Sequence, residues 1–341
     1  MESLICRSDK ELMSILSLDK PFQARIIRDN LIKGVLSFDE MTSLPKALRE
    51  RLKAERGKPL TGRILRKEEA DSTVKLAISY PDGTIIECVR LSDGNGRYTA
   101  CLSSQVGCAM GCAFCKTGTM GLVRTLTAGE IVEEFILLSS LGERISHIVF
   151  MGMGEALHNF TASIDAAMEL HRETGFDISF RKMTISTCGL VPGINRLTEL
   201  NIPIRLAVSL VSADDDTRSE IMRINRTYPL KELKDALLRF QHHQDRRLTL
   251  EYCMLGGINT DRDSADKLAS FVKGLDALVN LIPWNPIPEL GFRTPTEEEI
   301  RRFEKDLRAL GINYTIRRSK GRSISGACGQ LATEMKKNEV Q

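Results

Sequence analysis

Long apolar runs and aromatic residues are both scarce in this chain. No segment approaches the roughly 18 consecutive apolar residues that a membrane-spanning helix needs. The N-terminus has no basic segment followed by a long apolar one, which argues against a secretory signal peptide and predicts a cytoplasmic protein. Aromatic residues make up 5% of the chain and there is one Trp, so a broad base-stacking platform for single strands is not expected.

A strong excess of charge of one sign is also lacking. The 48 basic and 45 acidic residues give a net charge of +3, too balanced for coating nucleic acid, although a local basic face is possible. Hydrophobic residues at 42% and charged residues at 27% are ordinary for a soluble globular protein and exclude a disordered chain or a coiled coil. The length of 341 residues predicts about two domains, or one barrel with additions.

Cysteines are plentiful, and their number excludes one explanation at once. There are nine, an odd count, and the cytoplasm is reducing, so a structural disulfide framework is the wrong interpretation. Metal-binding, cluster-binding or catalytic thiols are the better one.

From about residue 100 the chain alternates strand-like runs with helical patterns. The predicted strands are 101–106, 147–151, 183–187, 205–211, 248–255 and 279–284. The predicted helices between and after them are 128–141, 161–173, 191–200, 230–243, 263–275 and 296–310. Six strand–helix units in series predict an α/β fold with a parallel sheet, a partial (β/α)6 barrel of the TIM type. Chemistry in such folds lies at the carboxyl ends of the strands.

The first hundred residues do not follow this alternation. Helices are predicted at 22–33, 37–43 and 46–56, and a hairpin-like stretch with turns at 81–83 and 93–96 follows. The predicted organisation is a helical accessory domain (1–60), a hairpin lead-in (61–100), a barrel with a C-terminal tail (101–331) and a disordered end (332–341).

The most specific motif is a group of three thiols, Cys108, Cys112 and Cys115, directly after the first predicted strand. Thiolates at this spacing bind soft metals or iron–sulfur clusters. A structural zinc site would normally take four ligands in two pairs, and no second Cys-x-x-Cys exists in the chain. Three cysteines on a cubane cluster leave one iron open for an outside ligand. The alternative, three buried small hydrophobes, is the weaker interpretation because the thiols crowd one turn-rich loop.

This Cys-x3-Cys-x2-Cys motif resembles that of the radical S-adenosylmethionine superfamily. The resemblance implies a [4Fe-4S] cluster on the three cysteines, with S-adenosylmethionine on the open iron. The Met151–Glu155 stretch is similar to the superfamily's glycine–glutamate motif. Polar residues ending later strands add to the expected cofactor contacts, which are Gly154, Glu155, Ser186, Ser209, Leu210, Val211 and Asn285.

A narrower resemblance is to the RlmN/Cfr family of RNA adenine methyltransferases. It is carried by the stretches 101–115, 150–155, 186–192, 281–286 and 327–331, and by 34–51 in the N-terminal module. The resemblance implies that Cys328 takes a methyl group from one S-adenosylmethionine and that a radical from a second activates it. The methylene then adds to adenine, and Cys101 attacks the Cys328 sulfur to release the product. Glu87 matches the family's proposed proton acceptor.

The resemblance also implies partners and a target. The leading target is adenine C2 in 23S rRNA and in tRNA, with an external one-electron donor such as flavodoxin or ferredoxin and no membrane. The alternatives are C8 methylation of the same ribosomal adenine, a radical enzyme acting on another substrate such as a peptide, and a cluster-bearing RNA-binding protein.

Some positions depart from the family pattern or suggest RNA contact. Val211 stands where the family usually has His, and Arg223 where it usually has Pro. The basic residues before Cys328 are candidate phosphate contacts; they are Arg317, Arg318, Lys320 and Arg322. An extruded base and RNA shape are expected to guide recognition more than overall charge.

Overall fold

The computed structural model describes residues 2–244, 246–317 and 321–332. Its strands are β1 (Arg63–Ala70), β2 (Thr73–Ser79), β3 (Ile85–Ser92), β4 (Tyr98–Cys101), β5 (Gln105–Gly107), β6 (Leu122–Thr125), β7 (Ile145–Phe150), β8 (Met183–Thr187), β9 (Arg205–Ser209), β10 (Leu248–Met254), β11 (Ala277–Pro283) and β12 (Tyr314–Ile316). The helices are α1 (Asp9–Ile15), α2 (Pro21–Ile32), α3 (Lys46–Arg56), α4 (Lys116–Thr119), α5 (Ala128–Ser139), α6 (Phe160–His171), α7 (Val191–Leu200), α8 (Asp215–Ile221), α9 (Leu230–Gln244), α10 (Arg262–Val272) and α11 (Glu297–Ala309).

One ten-stranded sheet, in the order β1-β2-β3-β4-β7-β8-β9-β10-β11-β12, organises the chain. The strands β1 to β4 pair antiparallel, and every pairing from β4–β7 through β11–β12 is parallel. This arrangement confirms the predicted α/β class with strand–helix units. It also adds β12 as a further parallel strand and makes the lead-in three strands long.

The two faces of the parallel sheet differ, and β10 shows the difference best. Its residues alternate between buried and half-buried, because successive side chains point to opposite faces of a strand. Leu250 and Tyr252 pack in the main hydrophobic core, whereas Glu251 and Cys253 line a cavity on the other face. The parallel sheet therefore has a helix-covered apolar face and a concave polar face.

The first barrel strand lies earlier than predicted. β4 ends at Cys101, where 101–106 was expected, and Gln105–Gly107 forms a separate two-stranded sheet with β6. The chain leaves the main sheet because Ser103 donates its backbone N–H to the buried carboxylate of Glu134, over 2.8 Å. Cys101 consequently stands at the carboxyl end of its strand.

One helical expectation is wrong, and the helices α1, α4 and α8 were not predicted. The stretch 37–43 forms only a short 3-10 turn, Phe38–Glu40, because Ser37 caps a turn that closes at Met41. Helices α1 and α8 were missed, although each begins at a cap that can be seen in the sequence. Ser8 and Glu11 form a capping box at α1, and the Asp214 side chain accepts the N–H of Thr217 at α8.

Two further expectations concern the ends of the chain and the membrane. The predicted disordered end, 332–341, lies outside the described residues except for Ala332. No helix among the described residues is long and apolar enough to cross a membrane.

Candidate active site

A cavity of about 180 Å³ opens at the carboxyl ends of the parallel strands. Among the predicted site residues, those that line it are Cys108, Cys112, Cys115, Gly154, Glu155, Ser186, Ser209, Val211, Asn285 and Cys328. The structure thus brings together thiols and polar groups from strands that are far apart in sequence.

The three-thiol loop, residues 108–115, forms one wall of this cavity. All three cysteines are half-buried and free. The loop is tied to the fold by the backbone, since Ala113 donates to Ile221 O over 2.9 Å. Gly118 packs beneath it, where a Cβ would lie 2.7 Å from Cys112 O. The positions of the thiols are therefore set by backbone contacts on both sides of the loop.

Burial raises the pKa of all three thiols, that of Cys108 to about 12. Thiols in such surroundings stay protonated unless a metal takes the place of the protons. Within the described residues no group of three or more His, Cys, Asp or Glu side chains is arranged to hold a single metal ion. Three thiols around one cavity, each free to bind a different iron, fit an iron–sulfur cluster.

Glu155 lines the same cavity as the loop, and it is buried and held by backbone amides. Its carboxylate accepts the N–H of Cys188 over 2.8 Å and that of Leu157 over 3.2 Å. Burial raises its pKa, and these hydrogen bonds oppose the effect. Each oxygen still has capacity to accept a further hydrogen bond from a ligand in the cavity.

The glycines before Glu155 are required because a neighbouring segment of the chain packs closely against them. A Cβ at Gly152 would lie 2.5 Å from Ser103 Oγ, and one at Gly154, where φ is +97°, would lie 2.5 Å from Gln105 Cβ. These glycines therefore let the 151–155 turn pack against the segment that leads into the three-thiol loop.

Val211 occupies a backbone conformation that is unusual for its type. Its φ is +60°, in the left-handed region, where a β-branched side chain is a true outlier. Val211 therefore carries strain at the cavity wall. Leu210 does not line the cavity; its side chain is buried in the main core.

The C-terminal tail forms a further part of the cavity wall. Lys116 N donates to Gly329 O over 2.8 Å, and Asn285 Nδ2 donates to Cys328 O over 3.0 Å. Thr117 Oγ1 also donates to Leu331 O. The exposed Cys328 thiol is thereby held beside the three-thiol loop by contacts to the tail backbone.

Cys101 and Cys328 meet in a second, smaller cavity. This space of about 30 Å³ adjoins the first and is also lined by Met151, Arg317 and Leu331. Burial raises the pKa of Cys101, while the charge of Arg317 acts in the opposite direction. Both thiols are free, and both line this gap.

Glu87 lies behind the site and lines neither cavity. It is fully buried on β3. Its carboxylate pairs with Lys75 Nζ over 3.1 Å and accepts the N–H of Ala332 over 3.0 Å. Burial raises its pKa. In this structure Glu87 fixes the tail four residues beyond Cys328.

Sequence reasoning missed Arg218, which supports the floor of the cavity. This fully buried guanidinium donates to Leu210 O, Cys188 O and Asn225 Oδ1 at 2.7–3.0 Å. It links the ends of β8 and β9. No local pattern marks it, because its acceptors come from three separate segments. Arg223, one of the residues that depart from the expected family pattern, lies nearby. Its side chain is 3.4 Å from the position that a Cβ on Gly111 would take.

The basic residues before Cys328 can be placed only in part. Arg317 is exposed and lines both cavities. Arg318 and Lys320 lie outside the described residues, as does the side chain of Arg322.

Comparison with known proteins gives the site its context. The family model of the radical SAM superfamily matches residues 102–269, a range that holds the three-thiol loop and Glu155. A crystal structure of a radical SAM methyltransferase from Sphaerobacter thermophilus has a TM-score of 0.91 and 40% identity. That comparison covers 98% of this chain and 100% of the other. The chain is a member of the radical SAM superfamily.

Relatives across nearly the whole chain narrow this class. A probable dual-specificity RNA methyltransferase RlmN of Rhodopirellula baltica is 43% identical, over 92% of this chain and 85% of the relative. The dual-specificity RNA methyltransferase RlmN of Anaeromyxobacter dehalogenans is 44% identical, over 93% of this chain and 87% of the relative. The chain belongs to the RlmN family.

Proposed function

We propose that this protein is a radical S-adenosylmethionine enzyme that methylates C2 of adenine in 23S rRNA and in tRNA. The observation that carries the proposal is the shared gap between Cys101 and Cys328, next to the cavity with the three-thiol loop. A cluster-bearing protein without methyl-carrier chemistry would have no need for two free thiols at that place. The names of the relatives support RNA as the substrate.

The residues that would hold the cofactors line one cavity. Cys108, Cys112 and Cys115 would bind a [4Fe-4S] cluster, and Glu155 would accept hydrogen bonds from the amino group of S-adenosylmethionine. Ser186, Ser209 and Asn285 face the same space. When bound, these groups supply the methyl group and the 5′-deoxyadenosyl radical, from two molecules of S-adenosylmethionine per turnover.

The two remaining thiols divide the covalent work between them. Cys328 would carry the carbon on its sulfur while that carbon becomes bonded to adenine C2. The C2 hydrogen would leave as a proton, and the one electron that remains after radical addition would be taken up by the bound cluster. Cys101 then attacks the Cys328 sulfur, so that a disulfide forms and the sulfur–carbon bond breaks. The carbon keeps the electron pair and takes up a proton to become the methyl group. Cys101 lies at the end of β4, where it is buried from water and lines the same small cavity as Cys328.

The proton-acceptor role of Glu87 stays a prediction, and its contact with Ala332 supports a part in holding the tail. The disulfide must be reduced after each turnover, which fits a reducing cytoplasm. A flavodoxin or ferredoxin is the expected source of the electron.

The decisive experiment uses anaerobically reconstituted protein, RNA and methyl-labelled S-adenosylmethionine, followed by mass spectrometry of the digested nucleosides. We expect 2-methyladenosine in 23S rRNA and in tRNA. Labelled 8-methyladenosine would overturn the C2 assignment. Cleavage of S-adenosylmethionine with no label in RNA would overturn the RNA substrate.

A further inference from the structure

A basic depression begins at the amino ends of the parallel strands and extends to Arg317, the residue that follows β12. It encloses about 420 Å³. Its basic residues lie in the turn between β3 and β4, on β7, just before β8, on β9 and just after β12, and they are Arg97, His147, Lys182, Arg205 and Arg317. Among the described residues, Asp93 is the one acidic residue in its wall.

Strand register explains why residues so far apart in sequence meet here. Thr99 pairs with His147 between β4 and β7, and Thr184 pairs with Arg205 between β8 and β9. Directly paired residues point to the same face of a sheet. Arg205 is the first residue of β9, so its side chain marks the amino edge of the sheet. The cations are therefore fixed by the strands that also carry Cys101, Ser186 and Ser209 to the opposite edge.

The positive charge of this depression is largely uncompensated. Arg97 pairs with Asp93 over 3.1 Å. Lys182 and Arg205 are exposed and have no carboxylate within 4 Å among residues 2–244, 246–317 and 321–332. Burial lowers the pKa of His147, and the surrounding cations Arg97, Lys182 and Arg205 lower it further. A depression that contains this surplus of cations fits an anionic ligand.

Arg317 connects this depression to the reactive thiol. It lines the basic depression, the small cavity between Cys101 and Cys328, and the main cavity. A ligand whose anionic part sits on Lys182 and Arg205 can therefore extend along the concave face of the sheet toward Cys328. RNA has this form, with phosphates on both sides of each base.

We propose that the basic depression binds backbone phosphates of the RNA substrate at some distance along the strand from the nucleotide to be methylated, with Lys182 and Arg205 as the main contacts. This inference rests on the proposed function and names the part of the protein that positions the RNA. An acidic electron-donor protein is the rival ligand for a basic surface. Its place would be near the three-thiol loop, whereas β9 puts roughly 15 Å between Arg205 and that edge at about 3.3 Å per residue.

The test measures RNA affinity of reconstituted holoenzyme as a function of salt, with a tRNA transcript as the probe. The variants are Lys182→Glu, Arg205→Glu and the double change. The control is Arg301→Glu, the same charge reversal at an exposed position of α11. Iron content and thermal unfolding check that each variant is folded and loaded.

We expect the double variant to bind RNA at least about tenfold more weakly at low salt, and Arg301→Glu to bind normally. The slope of log affinity against log salt should fall by about 1.4–1.8, because each lost phosphate contact removes about 0.7–0.9. Wild-type affinity and slope in the double variant would overturn the inference. So would a loss confined to the apparent affinity for a reduced flavodoxin, since that result would assign the surface to the electron donor.

Failure of the proposed function is a separate result. If wild-type holoenzyme places no methyl group on RNA, the function falls, whereas the affinity measurements still report on the depression.

Discussion

The two edges of the parallel sheet are built in opposite ways. At the carboxyl edge, Glu155 and Arg218 are buried and bonded to backbone groups, and the three-thiol loop is pinned by backbone contacts. At the amino edge, Lys182 and Arg205 are exposed and unpaired within the described residues. The first edge is preorganised for small ligands that must be held at fixed geometry. The second suits a flexible polyanion, because charge acts without exact placement.

This difference has a practical consequence for substitutions. A change at the carboxyl edge leaves buried groups without partners, so it costs cofactor or stability. A change at the amino edge alters only charge in water, where surface substitutions usually shift stability by less than about 0.5 kcal/mol. The predictions below compare the two kinds of position, or compare two positions at the carboxyl edge.

The largest effect is expected for Cys112→Ala. Removing one of three cluster ligands should lower iron content after reconstitution and reduce RNA methylation by more than about 100-fold, since even supporting groups of metal sites cost 10–100-fold. The matched control is Cys253→Ala, a thiol that lines the same cavity outside the loop. It should retain its iron. Equal iron loss in both variants, measured by metal analysis and absorbance, would remove the distinction between the loop and the other thiols.

Two arginines give the next comparison, one from each edge. Arg218→Met should lower the free energy of unfolding by about 3–4 kcal/mol, because Cys188 O and Asn225 Oδ1 lose their buried donor. Arg205→Met should change it by less than about 0.5 kcal/mol. Urea unfolding of both variants measures the difference. A similar cost for the two would show that burial does not separate the edges as described.

A smaller effect is expected within the carboxyl edge itself. Val211→Gly loses apolar burial but relieves a left-handed conformation that costs roughly 1–2 kcal/mol, so the net change should stay within about 1 kcal/mol. Val208→Gly, at a fully buried position of β9 with ordinary strand geometry, should cost about 3 kcal/mol. Thermal unfolding of both variants tests this. Equal losses would argue against strain at Val211.

Sequence reasoning reached those features whose signal is local. The Cys spacing pointed to the three-thiol loop, and the strand–helix alternation predicted that Ser186, Ser209 and Asn285 meet at one edge. The sequence did not predict that the chain leaves the main sheet at Ser103, because that bend depends on Glu134 of α5, which is distant in sequence. The buried state of Glu87 and the contacts of Arg218 depend in the same way on partners distant in sequence.

The basic depression shows most clearly what the sequence alone could not predict. Its cations are spread from Arg97 to Arg317, and apart from Arg317, which the sequence marks as a candidate phosphate contact, each taken alone looks like a solvated charge. Only the pairing order of the strands puts them side by side. The balanced net charge of +3 gave no sign of this local surplus.

The most direct test of the central claim is a search for a covalent adduct in the Cys101→Ala variant. Holoenzyme carrying this change, incubated with RNA, S-adenosylmethionine and reductant, should accumulate RNA bonded to Cys328, seen on a denaturing gel and by mass spectrometry of the tail peptide. Cys88→Ala, a buried thiol on the neighbouring strand, should turn over without an adduct. Free methylated RNA at the wild-type yield from Cys101→Ala would contradict a carbon carried by Cys328 and released by Cys101.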